Sequence, residues 1–336
     1  MKLSDIGEFG FIDRVASLFK EKLASGVMGI GDDCAVIPQP GGEALLITTD
    51  TLIDGVHFLI GRIPPFDLGF KSLAVNLSDI AAMGGSPSSV FLSLGIPKDT
   101  EIAFLELFLK GFYELSKRHG VQLLGGDTTG SPEPFMVNVV VLGKVSLSKV
   151  KLRSSAITGD VVCVTGELGD SGGGLRLILD NIEATDEESR YLIGKHYRPW
   201  PHIEEGKWLA EKPGVHAMMD LSDGIDSDCM RIAEQSRCGM EIYLEKLPIS
   251  EALKKTASRY NWDAFEIAAT GGEDYCLLFT ADGNKYEEIN SSFKAKFGRP
   301  VYPIGKITDR LRQIKYFEHG KEVSLRPHGF DHFKRD

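Results

Sequence analysis

The segment K-S-L-A-V-N-L-S-D-I-A-A-M-G at residues 71–84 predicts the greater part of a helix, and Asp79 is the one carboxylate in this segment. Leu73, Leu77 and Ile80 recur at helical spacing and form an apolar stripe, whereas Asp79 points away from that stripe. A helix of this kind packs its apolar side on neighbouring elements and leaves the acidic side chain available. We therefore look for a mixed fold around this helix and for a site beside Asp79.

Short runs rich in Val, Ile, Leu and Thr surround the helix, and Gly, Pro or Asp bounds each of them, as is typical of strands. The predicted strands of the first half are Ala44–Thr49, Ser89–Leu94, Val121–Leu124 and Phe135–Leu142. Its predicted helices are Phe9–Leu23, Asp67–Met83 and Glu101–His119. Thr100 is a candidate N-cap of the last helix, and Gly120 is a candidate for its end. The first half is therefore predicted to be mixed α and β.

The second half begins after a polar stretch that follows Gly143. Its predicted strands are Val161–Thr165, His216–Leu221, Met240–Leu244 and Tyr275–Phe279, and its predicted helices are Ser171–Leu179 and Asp226–Arg237. A chain of 336 residues is long for one average domain. We expect two domains, residues 1–150 and 151–336, with the boundary near Arg153.

Composition excludes several classes of protein. Lys and Arg total 38 against 48 Asp and Glu, and a net charge of −10 disfavours nucleic acid as a partner. There is no signal-peptide pattern and no run of about 18 apolar residues, so no membrane partner and a cytoplasmic location are expected. The five cysteines are widely spaced, which disfavours disulfides and a structural zinc site.

Short acidic motifs mark the ends of many of these elements. They are Gly31-Asp32-Asp33, Thr48-Thr49-Asp50, Asn76-Leu77-Ser78-Asp79, Gly125-Gly126-Asp127, Asp220-Leu221-Ser222-Asp223 and Gly271-Gly272-Glu273-Asp274. Each alone is typical of a turn or a helix cap. Carboxylates that converge repel one another unless they share hard divalent cations, and Mg²⁺ commonly combines carboxylates with substrate phosphates. Together the motifs indicate several Mg²⁺ ions and a nucleoside triphosphate.

Familiar nucleotide-binding signatures are missing. No Gly-Lys pair is followed by Ser or Thr, so there is no P-loop, and the protein-kinase H-R-D and D-F-G strings are absent too. The glycine-rich stretch Gly166–Gly174 is interpreted as tight strand–helix packing. The pair Ser222-Asp223 is predicted to begin a helix, where it could face an anion or serve as a plain cap.

The complete motif set resembles the thiamine-monophosphate kinase family. The resemblance is carried by G-I-G-D-D-C-A (29–35), T-T-D-T-L-I-D-G-V-H-F (48–58), residues 71–84, L-G-G-D-T-T (124–129), T-G-E-L-G-D-S (165–171), D-L-S-D-G (220–224), G-G-E-D-Y (271–275) and G-F-D-H-F (329–333). The family is related to aminoimidazole ribonucleotide synthetase and selenophosphate synthetase. The resemblance implies an α/β (α+β) fold of two domains and a homodimer joined through N-terminal strands.

The resemblance also implies roles for individual residues. The implied metal ligands are Asp33, Thr48, Thr49, Asp50, Asp79, Asp127, Asp220 and Asp223, with Asp32 as a neighbour. The implied ATP contacts are Gly126, Asp127, Arg153 and Ser222, and the implied substrate contacts are His57, Glu273 and Phe330. Transfer is expected to be carried by metal-bound Asp50, Asp79 and Asp127 without a general base.

The implied activity is ATP- and Mg²⁺-dependent phosphorylation of thiamine monophosphate to thiamine diphosphate, the last step of thiamine diphosphate biosynthesis. A phosphate monoester has a second pKa of about 6, so the acceptor is largely dianionic near neutrality and needs no base. Two alternatives stay open from the residues: a sister ATP-dependent enzyme of the same superfamily, or a nucleotide- or thiamine-phosphate sensor that does no chemistry.

Overall fold

Two mixed β-sheets, one from each half of the chain, form the frame of the protein. The computed structural model describes residues 2–19, 23–325 and 333. In the first half the helices are α1 (Gly7–Phe19), α2 (Pro65–Ala82) and α3 (Ile102–His119), and the strands are β1 (Ala35–Pro38), β2 (Glu43–Ile53), β3 (Ser86–Pro97), β4 (Gln122–Ser131) and β5 (Met136–Ser146). The five strands lie in the order β1-β2-β5-β3-β4, and only the β3–β4 pair is parallel.

The second half adds seven strands and seven helices. The strands are β6 (Val161–Val164), β7 (Val215–Asp220), β8 (Gly239–Tyr243), β9 (Leu277–Ala281), β10 (Tyr302–Thr308), β11 (Ile314–Glu318) and β12 (Lys321–Val323). The helices are α4 (Asp170–Leu179), α5 (Glu187–Tyr197), α6 (Ile203–Ala210), α7 (Ile225–Gln235), α8 (Glu251–Tyr260), α9 (Ala264–Thr270) and α10 (Tyr286–Phe297). The sheet order is β12-β11-β8-β10-β6-β9-β7, and only β8 and β11 are parallel neighbours.

Helix α2 lies between the two halves and is buried on nearly all sides. Leu73, Leu77 and Ile80 are fully buried, as their spacing predicts, but Lys71 and Asn76 are fully buried as well. The reason is that α2 packs on β2 and β5 of the first sheet and also on α6 and β7 of the second half. The single apolar stripe predicted from the sequence is therefore too narrow, because a helix with partners on both sides has no solvent face.

Most of the predicted elements are present, with shifted ends. Helix α3 ends where predicted, and Gly120 adopts the left-handed conformation (φ 65°) that favours glycine at this position. Its N-cap is Glu101 and not Thr100. The predicted strands of the first half all extend further than their apolar runs, and β1, β10, β11 and β12 were not predicted.

The region between the sheets contains Arg153, in a short 3-10 turn (Arg153–Ser155). The first sheet uses residues 35–146, and the second uses residues 161–323. The domain limits 1–150 and 151–336 stay a prediction. In the part of the chain that the structure describes, no helix combines the length and the apolarity needed to cross a membrane.

Candidate active site

Three aspartates from distant parts of the chain converge where the two halves meet. Asp33 belongs to the turn before β1, Asp79 to the last turn of α2, and Asp220 is the last residue of β7. Each offers a carboxylate oxygen, and these oxygens lie within 4.8 Å of one another. Asp33 and Asp220 are buried. We call these three residues the acidic cluster.

Strand β2 adds two further predicted ligands. Thr48 and Asp50 alternate with outward residues, so both face α2, and the Thr48 hydroxyl donates a hydrogen bond to the Asp79 carboxylate. Burial raises the pKa of Asp50 to about 6, and the charges of Asp223 and Asp33 add to the effect. Asp50 therefore lies in the electrostatic field of the acidic cluster.

The cluster is electrostatically unfavourable when it is fully ionised. Burial raises the pKa of Asp220 to about 8, with a further contribution from Asp33. Burial, followed by the charges of Asp50 and Asp220, raises the pKa of Asp79 well above its ordinary range. Buried Asp33 Oδ2 and Asp220 Oδ2 have no hydrogen-bond partner among the described residues. Buried oxygens without donors, on carboxylates this close, fit a hard divalent cation.

Arg153 contacts the acidic cluster from the connection between the sheets. Its guanidinium donates a hydrogen bond to Asp33, and its main-chain N–H lies 3.2 Å from Asp32 Oδ2. Burial raises the pKa of Asp32 to about 7, and Asp33 adds to this, whereas Arg153 opposes it. The predicted ATP contact thus lies against two carboxylates of the G-D-D motif.

The loop after β7 carries Ser222 and Asp223 to the start of α7. The Asp223 N–H donates to Asp228 Oδ2 at 3.2 Å, and Asp228 is only 1% exposed. Burial, with the charges of Asp223 and Asp220, raises the pKa of Asp228 well above its usual range. Sequence reasoning missed Asp228. Its position five residues after Asp223, at the start of an amphipathic helix, was the available signal.

Glu273 lies in a second charged group that the sequence did not reveal. Its two carboxylate oxygens are 2.9 and 3.0 Å from the ammonium of Lys71, whose side chain is fully buried. His196 Nδ1 is 3.2 Å from Glu273 Oε2 and 3.0 Å from the Ser171 hydroxyl. Burial, and then Lys71, lower the pKa of His196 to about 3, so this imidazole is neutral near pH 7.

The neighbouring Asp274 has a structural role. Its carboxylate accepts hydrogen bonds from the N–H groups of Gly169 (2.6 Å) and Ser171 (3.2 Å), at the start of α4. The Asp274 carboxylate therefore fixes the backbone of the glycine-rich stretch 166–174. This agrees with its interpretation as a tightly packed strand–helix turn.

Two predicted metal ligands do not reach the acidic cluster within one chain. The Thr49 hydroxyl faces away from α2 and accepts a hydrogen bond from Asn138 at 3.0 Å. On β4, Asp127 is the register partner of Ser93 on β3, and Ser93 is the register partner of Asn138 on β5. Register partners have their side chains on the same face of a sheet, so the Asp127 side chain lies on the face that points away from α2. Strand β4 is also three strand spacings, roughly 14 Å, from β2.

Gly126 has a packing reason to be glycine. A Cβ atom there would lie 1.7 Å from the Leu92 carbonyl oxygen of β3, so no larger residue fits without moving the strand. His57 lies in the turn after β2, where its Nδ1 accepts from the Ile53 N–H at 3.0 Å. Phe330 lies outside the described residues.

A cavity of about 780 Å³ opens beside Asp32 and Ser154. Its walls include the apolar side chains Leu23, Met28 and Leu152. A cavity of this size, mostly apolar with a few polar groups at one end, is typical of small-molecule sites.

The amino-acid sequence of this chain matches known protein families and their members. Residues 31–145 match the family model of the AIR synthase related protein N-terminal domain, and residues 158–316 match that of the C-terminal domain. The thiamine-monophosphate kinase of Buchnera aphidicola subsp. Schizaphis graminum is 36% identical over 98% of this chain and 99% of its own length. That of Escherichia coli K12 is 38% identical over 97% and 98%.

A solved structure described as AaThiL complexed with AMPPCP and TMP is also similar. It superimposes with a TM-score of 0.86 at 34% identity and covers 99% of both chains. The fold is therefore the two-domain α/β architecture of the AIR synthase related proteins. Because these relatives are 36% and 38% identical over nearly the whole chain, this chain belongs to the thiamine-monophosphate kinase family.

Proposed function

We propose that this protein transfers the γ-phosphoryl group of ATP to thiamine monophosphate and releases thiamine diphosphate and ADP. The observation that carries the proposal is the acidic cluster, built from both halves of a chain of this family. The relatives that are thiamine-monophosphate kinases, and the similar structure with AMPPCP and TMP, support the same substrates.

The site residues fit Mg²⁺. Asp33, Asp79 and Asp220 would hold it, with Asp50 and Asp223 at the margin of the group, because hard cations bind carboxylate oxygens. When bound, such ions neutralise phosphate charge during transfer. Thr48, through its hydrogen bond to Asp79, would fix the orientation of that carboxylate.

The remaining chemistry is positioning. Arg153 would exchange its contact with Asp33 for phosphate oxygens, since a planar guanidinium binds either partner in the same fork geometry. The acceptor phosphate is already largely dianionic, so the chain has no proton to remove. Transfer would therefore be direct and would leave no phosphoenzyme.

The 780 Å³ cavity is the proposed place for the nucleoside of ATP. It lies next to Asp32 and Ser154, one residue from Arg153, and its apolar wall suits a flat base. Ser222, in the loop between Asp220 and Asp223, would contact the phosphates. His57 and Phe330 stay proposed substrate contacts on the resemblance alone.

A homodimer is part of the proposal. Strand β4 lies at the edge of its sheet, Leu123 and Leu124 are 52% and 56% exposed, and an exposed apolar edge strand is a ready template for pairing with a second copy. Since Asp127 and Gly126 lie on this strand and away from the acidic cluster of their own chain, we infer that they serve the site of the partner subunit. Domains 1–150 and 151–336 and a cytoplasmic location belong to the same proposal.

The test is a reaction of the purified protein with ATP, magnesium and thiamine monophosphate, followed by chromatography of the products. We expect thiamine diphosphate and ADP in equal amounts, no product in EDTA, and no thiamine monophosphate when free thiamine is offered as the acceptor. Binding of both substrates without turnover would favour the sensor. ATP cleavage that leaves thiamine monophosphate unchanged would favour a sister enzyme.

A further inference from the structure

Lys71 is an unusual lysine because its side chain is 0% exposed and its ammonium forms an ion pair with the carboxylate of Glu273. Its distances to Glu273 Oε1 and Oε2 are 2.9 and 3.0 Å, so the contact is bidentate. Lysine is almost never fully buried unless it is paired. The Glu273 side chain, in contrast, keeps 27% of its surface exposed. The ammonium is therefore enclosed, whereas the Glu273 side chain that it contacts is partly exposed.

Glu273 is held from several further directions. Its N–H donates to the Ser222 carbonyl oxygen at 2.8 Å, and His196 lies 3.2 Å from Oε2. Its backbone has φ of 63°, a left-handed conformation that is costly for a residue other than glycine. Strain of this kind persists only where surrounding contacts fix the residue. The orientation of this carboxylate is thus set by α2, α5 and the loop that carries Ser222.

The spacing along α2 relates this group to the acidic cluster. Lys71 and Asp79 lie on the same helix, eight residues apart, which corresponds to roughly 12 Å along its axis. A substrate whose phosphate lies at the acidic cluster could place its opposite, heterocyclic end near Glu273. Because Lys71 cancels the charge of Glu273, the pair offers no net charge to a cation. A carboxylate has about four lone-pair sites, so Glu273 can still accept a hydrogen bond from a further donor.

We propose that Lys71 is a positioning residue, whose ammonium holds the Glu273 carboxylate so that it accepts a hydrogen bond from a donor group on the heterocyclic end of the phosphate substrate. This inference rests on the proposed function. It assigns Glu273 the recognition of an N–H donor, such as a ring amino group, and not the attraction of a positive ring.

The test compares Lys71→Met with Lys149→Met. Lys149 forms the same kind of pair with Glu211, at 2.5 Å, but on the surface, where the two side chains are 43% and 57% exposed. We expect Lys71→Met to raise the KM for thiamine monophosphate by about tenfold to a hundredfold, by analogy with residues that orient metal ligands, whose loss costs about 10- to 100-fold. The KM for ATP should stay within about twofold, and Lys71→Arg, which keeps a donor, should restore part of the loss.

An equal rise in both KM values, or no rise in either, would overturn the positioning role. If Lys71→Met does not fold, two other variants replace it. They are the single variant Glu273→Gln and the double variant that combines Lys71→Met with Glu273→Gln. Lys71 acts through Glu273, so the double variant should match the KM of Glu273→Gln, and a clearly higher value would refute the proposal. Calorimetric affinity for thiamine monophosphate, measured without ATP, separates this inference from failure of the kinase activity itself.

Discussion

The guanidinium of Arg153 donates a hydrogen bond to the carboxylate of Asp33, across 120 residues of sequence. Burial alone would lower the pKa of Arg153, but the charges of Asp33 and Asp32 raise it above its ordinary value, so the group stays charged. The arginine thus supplies positive charge to carboxylates that repel one another. Under the proposed function, the phosphates of ATP would compete with Asp33 for this guanidinium.

Arg153→Met should reduce kcat/KM for ATP by about 100-fold or more, because a charged donor to the phosphates is removed. Arg153→Lys should recover only part of the loss, since an ammonium cannot bind two oxygens in the same fork. Steady-state kinetics at saturating thiamine monophosphate measure both. Arg310→Met, at an exposed arginine, is the matched control. Equal activities of the lysine variant and the unmodified protein would contradict the bidentate role.

Asp79→Asn should lower kcat by about 100-fold or more while the protein stays folded, because the acidic cluster loses a charge needed for the cation. In EDTA the same variant should melt at a higher temperature than the unmodified protein, since a repelled buried carboxylate becomes neutral. Differential scanning calorimetry of both proteins, in EDTA and in Mg²⁺, measures the two melting temperatures. Asp99→Asn, on the surface, should change neither property. A lower melting temperature in EDTA would argue against repulsion within the cluster.

The metal-free protein should lose stability as the pH rises. Folding raises the pKa of Asp50 to about 6, of Asp32 to about 7 and of Asp220 to about 8, all above the ordinary value of 3.8. A raised pKa contributes stability below the unfolded-state value, and the contribution is lost as the pH passes the folded-state value. The melting temperature in EDTA should therefore fall between about pH 4 and pH 8, and Mg²⁺ should reduce the fall. A melting temperature that rises over this range would contradict the prediction.

Mixed dimers should reveal whether Asp127 acts across the subunits. Asp50→Asn and Asp127→Asn homodimers should each be nearly inactive. Their co-expressed mixture should recover roughly a quarter of the sites, because half of the dimers are mixed and each mixed dimer holds one intact site. Two different tags allow the mixed dimer to be purified and assayed. An inactive mixed dimer would place Asp50 and Asp127 in the same site of one chain.

Local chemistry made many features predictable. The periodicity of Leu73, Leu77 and Ile80 identified α2, and Gly120 marked the end of α3, because each reflects a property of one segment. The acidic motifs were found for the same reason. That Asp33, Asp79 and Asp220 converge was predicted only through the family resemblance and the argument that converging carboxylates share cations. The distances between their oxygens came from the structure.

What the sequence determined by itself is most of the first-half elements, part of the second-half elements and the acidic motifs, since hydrophobic period, capping and turn residues act over a few positions. Only the tertiary structure decided that Lys71 is buried against Glu273, 202 residues away, and that Asp127 faces away from the acidic cluster. Both depend on how two sheets and one shared helix pack. That packing is fixed by contacts between residues far apart in the chain, which no local pattern records.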